Sequence, residues 1–317
     1  MTDRASWVGP GVLLVFLTAL VSGVSTFVNA FAVQGASSDA FVTIRNLVVA
    51  AALVPVALVT RRALRAPSLR LVDWARLVSI GLLGGAIPFL LFFHGLELAA
   101  RAGGAATASF GYRTLFLWAG VLAAVGLRER LPRRALLAAG LLLAGNVLLL
   151  ALTSPIWTDG TAYVLAATGL WAVEYTLSKR TLRDLAPATV AAGRMGFGAL
   201  FLAGYLGFTA QWGHVADFSG GDWAWVGISA AFLLAFVACW YTGLQRVDLG
   251  SATSVLVLGF PITWCLGVLV QGQGLSLESA LGALAVVLGA VIAVGSTAFR
   301  ATRRYLSGVL RPSVAAT

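Results

Sequence analysis

Long apolar runs at regular intervals constrain this chain more than any single residue does. They cover 11–33, 40–60, 77–98, 102–126, 135–152, 161–178, 189–209, 223–244, 250–270 and 279–297. Each is roughly 17 to 25 residues long, enough to cross about 30 Å of hydrocarbon at about 1.5 Å per residue. Unpaired backbone groups are not tolerated in hydrocarbon, and these runs are too long and too continuously apolar for the alternating strands of a barrel. The expected fold is therefore an all-α integral membrane protein with ten transmembrane helices. Composition agrees: 59% of the 317 residues are hydrophobic and 11% charged, more apolar surface than a water-soluble domain of this size can bury.

The basic residues supply a topology. A net charge of +10 would suit nucleic acid if it lay on one face, but it comes as short clusters between apolar runs, so nucleic acid is not an expected partner. Arg61, Arg62, Arg65, Arg70 and Arg76 follow the second run. Arg128, Arg130, Arg133 and Arg134 follow the fourth, Lys179, Arg180 and Arg183 the sixth, and Arg246 the eighth. With Arg4 and the tail arginines, every basic residue except Arg101 and three in-span arginines falls on one side. The positive-inside rule makes that side cytoplasmic and puts both termini there. Trp7, Trp74, Trp157, Trp212, Trp223 and Trp225 fall at expected helix ends, where indole prefers the interface. Trp118, Trp171, Trp240 and Trp264 fall inside spans, as lipid-facing bulk or as pocket wall. The first run imitates a signal peptide through Arg4 and Ala30-Phe31-Ala32, yet its length suits a retained helix.

The chain also repeats. A shift of 149 residues lays Ser22, Ser25 and Asn29 over Trp171, Glu174 and Ser178, and Arg45 over Arg194. A shift of 144 lays Glu129 over Gln273, Ala138 over Gly282 and Gly145 over Gly289. Two five-helix repeats follow, at 1–152 and 153–298, with a basic cytoplasmic tail at 299–317. An odd number of helices per copy forces the second into an inverted orientation, the mark of many alternating-access carriers.

Several of these features occur together: Arg45 and Arg194 near the starts of helices 2 and 7, Gly95-Leu96 and Gly243-Leu244 closing helices 3 and 8, Pro261 in helix 9, Glu129 closing helix 4, and the glycine spacing of helix 10. In combination they resemble the EamA-like members of the drug/metabolite transporter superfamily, over nearly all of 11–297. The resemblance implies a multi-pass carrier of the bacterial cytoplasmic membrane that moves amino acids or related metabolites, more often outward than inward. Two departures stand out. Leu117 or a neighbour occupies the place of a proline matching Pro261, and Gln273 the place of an acid matching Glu129, which tells against a mechanism that needs both halves to be functionally equal.

Ionisable groups inside a span cost several kcal/mol unless paired or hydrated, which makes each one a site candidate. Arg113, beside Tyr112 near mid-depth of helix 4, reads either as a grip on an anionic substrate group or as a structural arginine bonded to carbonyls. Glu174, flanked by Trp171 and Tyr175, reads as a proton carrier, as a partner for a substrate amine, or as the partner of Arg194 in a buried pair. Arg45 takes a similar structural role, with Asn29 and Ser25 as neighbours. His94 shares a helix face with Glu97 and reads as a polar pocket wall or titrating gate; a metal site is not expected. Phe92, Phe93, Trp118, Trp171, Trp240, Tyr241 and Trp264 supply candidate aromatic walls. Glu129 reads as a hydrated, salt-bridged cap, and Pro261 as a kink or hinge. Gly81, Gly84 and Gly85 read as packing.

Three functions compete. The first is a carrier that exports small polar metabolites by alternating access. The second is a carrier of organic anions or of phosphorylated or nucleotide-linked sugars. The third is a scaffold that transports nothing. No motif of an enzyme or a cofactor site is present. The expected partners are a small-molecule substrate and membrane lipid, with a proton or other coupling ion and a second copy of the chain as further candidates.

Overall fold

The computed structural model describes residues 4–32, 37–101, 111–129, 133–149, 157–272 and 274–309, and among them there is no strand. The first half holds α1 (Arg4–Ala32), α2 (Ser38–Ala63), α3 (Leu71–Ile80, a π-helical segment Gly81–Ala86, then Ile87–Arg101), α4 (Gly111–Leu127) and α5 (Arg133–Leu149). The second holds α6 (Asp159–Thr181), α7 (Pro187–Phe208), α8 (Gly220–Arg246), α9 (Leu249–Leu256 and Gly259–Gln271) and α10 (Leu277–Val309). Stretches within α1, α2, α3, α7, α8, α9 and α10 make 7 helices long and apolar enough to cross a bilayer. Over their described residues α4 and α5 are shorter, and α6, though 23 residues long, carries Asp159, Glu174, Lys179 and Arg180. Helix α10 continues past residue 297, with a kink at Gly295. Residues 102–110, the junction 150–156 and Gln273 lie outside the described residues, as do the side chains of Trp7, Glu97, Arg101 and the basic tail.

Polarity is arranged for a lipid solvent. Water would drive large apolar side chains inward. Here Val125, Leu269 and Phe208 are 78%, 80% and 93% exposed, whereas Arg45, Asn46, Glu174, Ser178 and Arg194 are buried. Trp74, Trp157, Trp212 and Trp223 stand exposed at or beside helix ends, as interfacial indoles do. Trp118 also faces outward, its Nε1 donating to Thr114 at 3.1 Å.

The two halves interlock. Helix α1 packs mainly on α8, α9 and α10, whereas α6 packs mainly on α3 and α4; α2 lies on α7, and α5 on α10. The same residues make the exchanged contacts. A Cβ added to Gly95 would fall 2.7 Å from the carbonyl oxygen of Gly160 and 3.0 Å from a Val164 methyl. One added to Gly243 would fall 3.1 Å from that of Gly11 and 2.8 Å from a Val15 methyl. Gly160 and Val164 stand 149 residues after Gly11 and Val15. Such backbone approaches admit only the smallest residue. Along α5 and α10, Gly145 meets Gly282 while Gly289 meets Ala138, so these matching helices run antiparallel.

Candidate functional site

The site begins with Pro88. Proline has no N–H, and its ring crowds the carbonyl four residues earlier, so Gly84 loses its helical donor. The chain widens there into the π segment Gly81–Ala86, a distortion that recurs at functional sites. The freed Gly84 oxygen accepts from Trp171 Nε1 at 3.1 Å and from Arg194 Nη2 at 3.0 Å. The next carbonyl, on Gly85, accepts from Asn46 Nδ2 at 3.3 Å. Glu174 approaches so closely that a Cβ on Gly84 would lie 2.5 Å from its Cγ. Helices α2, α6 and α7 are thus tied to α3 at two carbonyls.

Around this clamp the buried charges are unevenly partnered. Glu174 Oε1 accepts from Ser178 Oγ at 2.5 Å and from Tyr241 OH at 2.8 Å. Its Oε2 stands 3.9 Å from Arg194 Nε and has no hydrogen-bond partner, nor do Arg194 Nε and Nη1. The two form an ion pair held apart by their other bonds. Arg45 donates to its neighbour Asn46 Oδ1 through Nε at 3.3 Å and Nη2 at 3.2 Å, and lies 5.2 Å from the centre of the Phe89 ring.

A cavity of about 430 Å³ opens between the halves. Ser22, Ser25, Thr26 and Asn29 line one side, Thr253 and Thr263 another, and Arg45, Arg113 and Arg194 reach it from α2, α4 and α7. Its wall is aromatic: Tyr112 stacks edge-on to Phe92 and to Trp171 at 5.3 Å each, and Trp171 meets Phe89 and Phe92 at 5.5 Å. The guanidinium carbon of Arg113 lies over the Phe260 ring, 2.9 Å from its centre, with Nη1 lacking a hydrogen-bond partner. Asn29 donates to Ser25 at 3.1 Å, and its Oδ1 is unpartnered.

Of the candidates read from sequence, Arg45, Arg113, Arg194, Tyr112, Trp171, Tyr175 and Asn29 line this cavity. Glu174, Trp240 and Tyr241 sit behind the wall: Tyr241 holds Glu174, and Trp240 packs on Tyr175 at 4.7 Å. His94 is elsewhere, exposed and edge-on to Tyr163 at 5.0 Å, because its position on α3 turns away from Phe89, Phe92 and Phe93. Glu129 is not simply a solvated cap. Its Oε1 accepts from the N–H of Leu249 at 3.0 Å and its Oε2 from that of Gly250 at 3.4 Å, so an acid ending α4 caps the start of α9. The break in α9 lies at Val257 and Leu258, upstream of Pro261, since the carbonyl that loses its donor to Pro261 belongs to Val257.

Sequence reasoning treated Lys179 only as a topological charge. Its Nζ donates to the carbonyls of Leu244 at 2.5 Å and Val247 at 2.6 Å, closing the C-terminal end of α8. Arg180 does the same for α4 through Gly126. Two adjacent cations ending α6 signalled a helix C-terminus, but not that the ends closed belong to α8 and α4.

The sequence profile described as the EamA-like transporter family matches residues 9–151 and again residues 159–295. The chain belongs to that family. The two matched stretches correspond to the two halves whose helices exchange contacts. Among curated proteins none matches. Among solved structures 28 chains match. One, described only as the crystal structure of a protein, aligns with a TM-score of 0.68 and 23% identity over 92% of this chain and 99% of its own, a likeness of fold alone. As an EamA-like transporter, this is a multi-pass membrane protein of a transporter family.

Proposed function

We propose that this EamA-like transporter is a secondary carrier exporting small polar metabolites, such as amino acids or related compounds, across a bacterial cytoplasmic membrane. In this reading all ten helices span the bilayer as two inverted five-helix repeats, with both termini cytoplasmic. The shorter α4 turns Trp118, Val121 and Val125 outward, and α6 keeps Glu174 buried against its neighbours. Alternating access exposes the central cavity to each side in turn, driven by a gradient of the substrate, a proton or another ion.

One observation carries this reading: the cavity lies where the two interlocked halves meet, and it combines an aromatic wall with charged groups. A scaffold has no need of such a chamber, since buried charge is expensive. Arg45, Arg113, Arg194, Tyr112, Trp171 and Tyr175 are the residues that meet substrate or shape its berth. Glu174 and Tyr241 hold Arg194 in place, and Pro261 supplies the flexible point of α9.

The test is counterflow in proteoliposomes containing the purified protein. Liposomes preloaded with unlabelled substrate are expected to accumulate the labelled compound transiently and saturably. Absence of counterflow across a broad panel of amino acids, carboxylates and amphipathic drugs overturns the proposal.

A further inference from the structure

Among its described residues, the lining of the central cavity contains three guanidinium groups, those of Arg45, Arg113 and Arg194, and no carboxylate or lysine. One acid approaches from behind the wall, Glu174, 3.9 Å from Arg194. Set against that single carboxylate, the cavity keeps an excess of two positive charges. Uncompensated cations inside a helical bundle are costly, and a bound anion offsets that cost where another protein would use a second acid.

We infer that the substrate is an organic anion with a carboxylate head, an aromatic or apolar body and no ammonium group. The inference rests on the carrier reading and narrows it. Arg113 is the principal grip: Nη1 has no hydrogen-bond partner, the guanidinium carbon rests over the Phe260 ring, and a fixed fork of donors matches a carboxylate through two parallel bonds. Arg45, which among the described residues donates to the neutral amide of Asn46, completes the positive surface. Phe92, Tyr112 and Trp171 take the body, and a cavity of about 430 Å³ holds one ring with a short acid chain. An ammonium group would meet aromatic faces and hydroxyls but no acid in the described wall.

Three compounds with one body separate the outcomes: 3-phenylpropionate, phenylalanine and phenethylamine. Binding to the detergent-solubilised protein is read from quenching of tryptophan fluorescence, and flux is read in proteoliposomes. The expected result is that 3-phenylpropionate binds and moves, at least about tenfold tighter than either amine-bearing compound. Arg113→Gln should weaken anion binding about tenfold or more, with Arg113→Lys intermediate because it keeps the charge and loses the fork. The inference is overturned if the anion does not bind, if phenylalanine or phenethylamine binds as tightly, or if a folded Arg113→Gln protein binds it unchanged. Should Arg113→Gln fail to fold, the compound series on the native protein decides alone. Anion binding with no flux of the three compounds upholds the anion site and leaves the carrier reading to the broad counterflow panel; flux of an amine without flux of the anion upholds the carrier reading and overturns the inference.

Discussion

Replacing Glu174 with Gln tests the clamp most directly, because the change removes a charge while keeping nearly the same shape. Ser178 and Tyr241 both donate to Oε1, an oxygen that the amide retains, so those two bonds survive. What is lost is the attraction across 3.9 Å to Arg194, about 4 kcal/mol at an effective dielectric constant of 20. Arg194 then remains buried with its charge uncompensated, and breaking such pairs typically costs 3–5 kcal/mol. Some relaxation of the arginine toward the cavity offsets part of this, so a loss of about 3 kcal/mol is expected. Unfolding by SDS in mixed micelles, followed by tryptophan fluorescence, measures it. The double variant Glu174→Gln with Arg194→Gln should lie closer to the native protein than the sum of the single changes, by about 1 kcal/mol or more. A Glu174→Gln cost below about 1 kcal/mol, or strict additivity in the double variant, refutes the pairing.

The same titration serves for Lys179→Met. It removes two charge-assisted bonds to carbonyls at the end of α8, at 2.5 and 2.6 Å, and is expected to cost about 2–4 kcal/mol; less than about 0.5 kcal/mol denies the staple. Gly95→Val and Gly243→Val should each destabilise by about 2 kcal/mol or more and by similar amounts, since each forces methyl groups into the same kind of crossing. Tolerance at one site and collapse at the other breaks the equivalence of the α3·α6 and α1·α8 contacts.

Features with a local cause were readable from the sequence. Apolar runs set most of the helices, and the 149-residue echo of Gly11 and Val15 in Gly160 and Val164 marks the contact that both halves use. The arginines of the cavity announced themselves because charge inside a span needs a reason. Pairings across the chain did not. Nothing near Glu129 says that it caps α9, and nothing near Lys179 names Leu244 and Val247, because those partners are chosen by how the halves cross. The π segment was legible in part: Pro88 four residues after Gly84 predicts an orphan carbonyl, though its acceptance from Trp171 and Arg194 depends on α6 and α7. His94 misled because helical spacing puts it on a face with Glu97 but does not say which way that face turns.

The exchange of partners between the halves sets a timetable for biogenesis. Helix α1 leaves the ribosome first, yet its main neighbours begin only with Gly220, after most of the chain has been made. Through that interval α1 lacks the helices on which it mainly packs, and it must wait in lipid or beside the insertion machinery. Helix α6, by contrast, meets α3 and α4 already in place. Assembly of this transporter is therefore closed from its distal end, and truncations that spare the entire first half still leave its first helix without a berth.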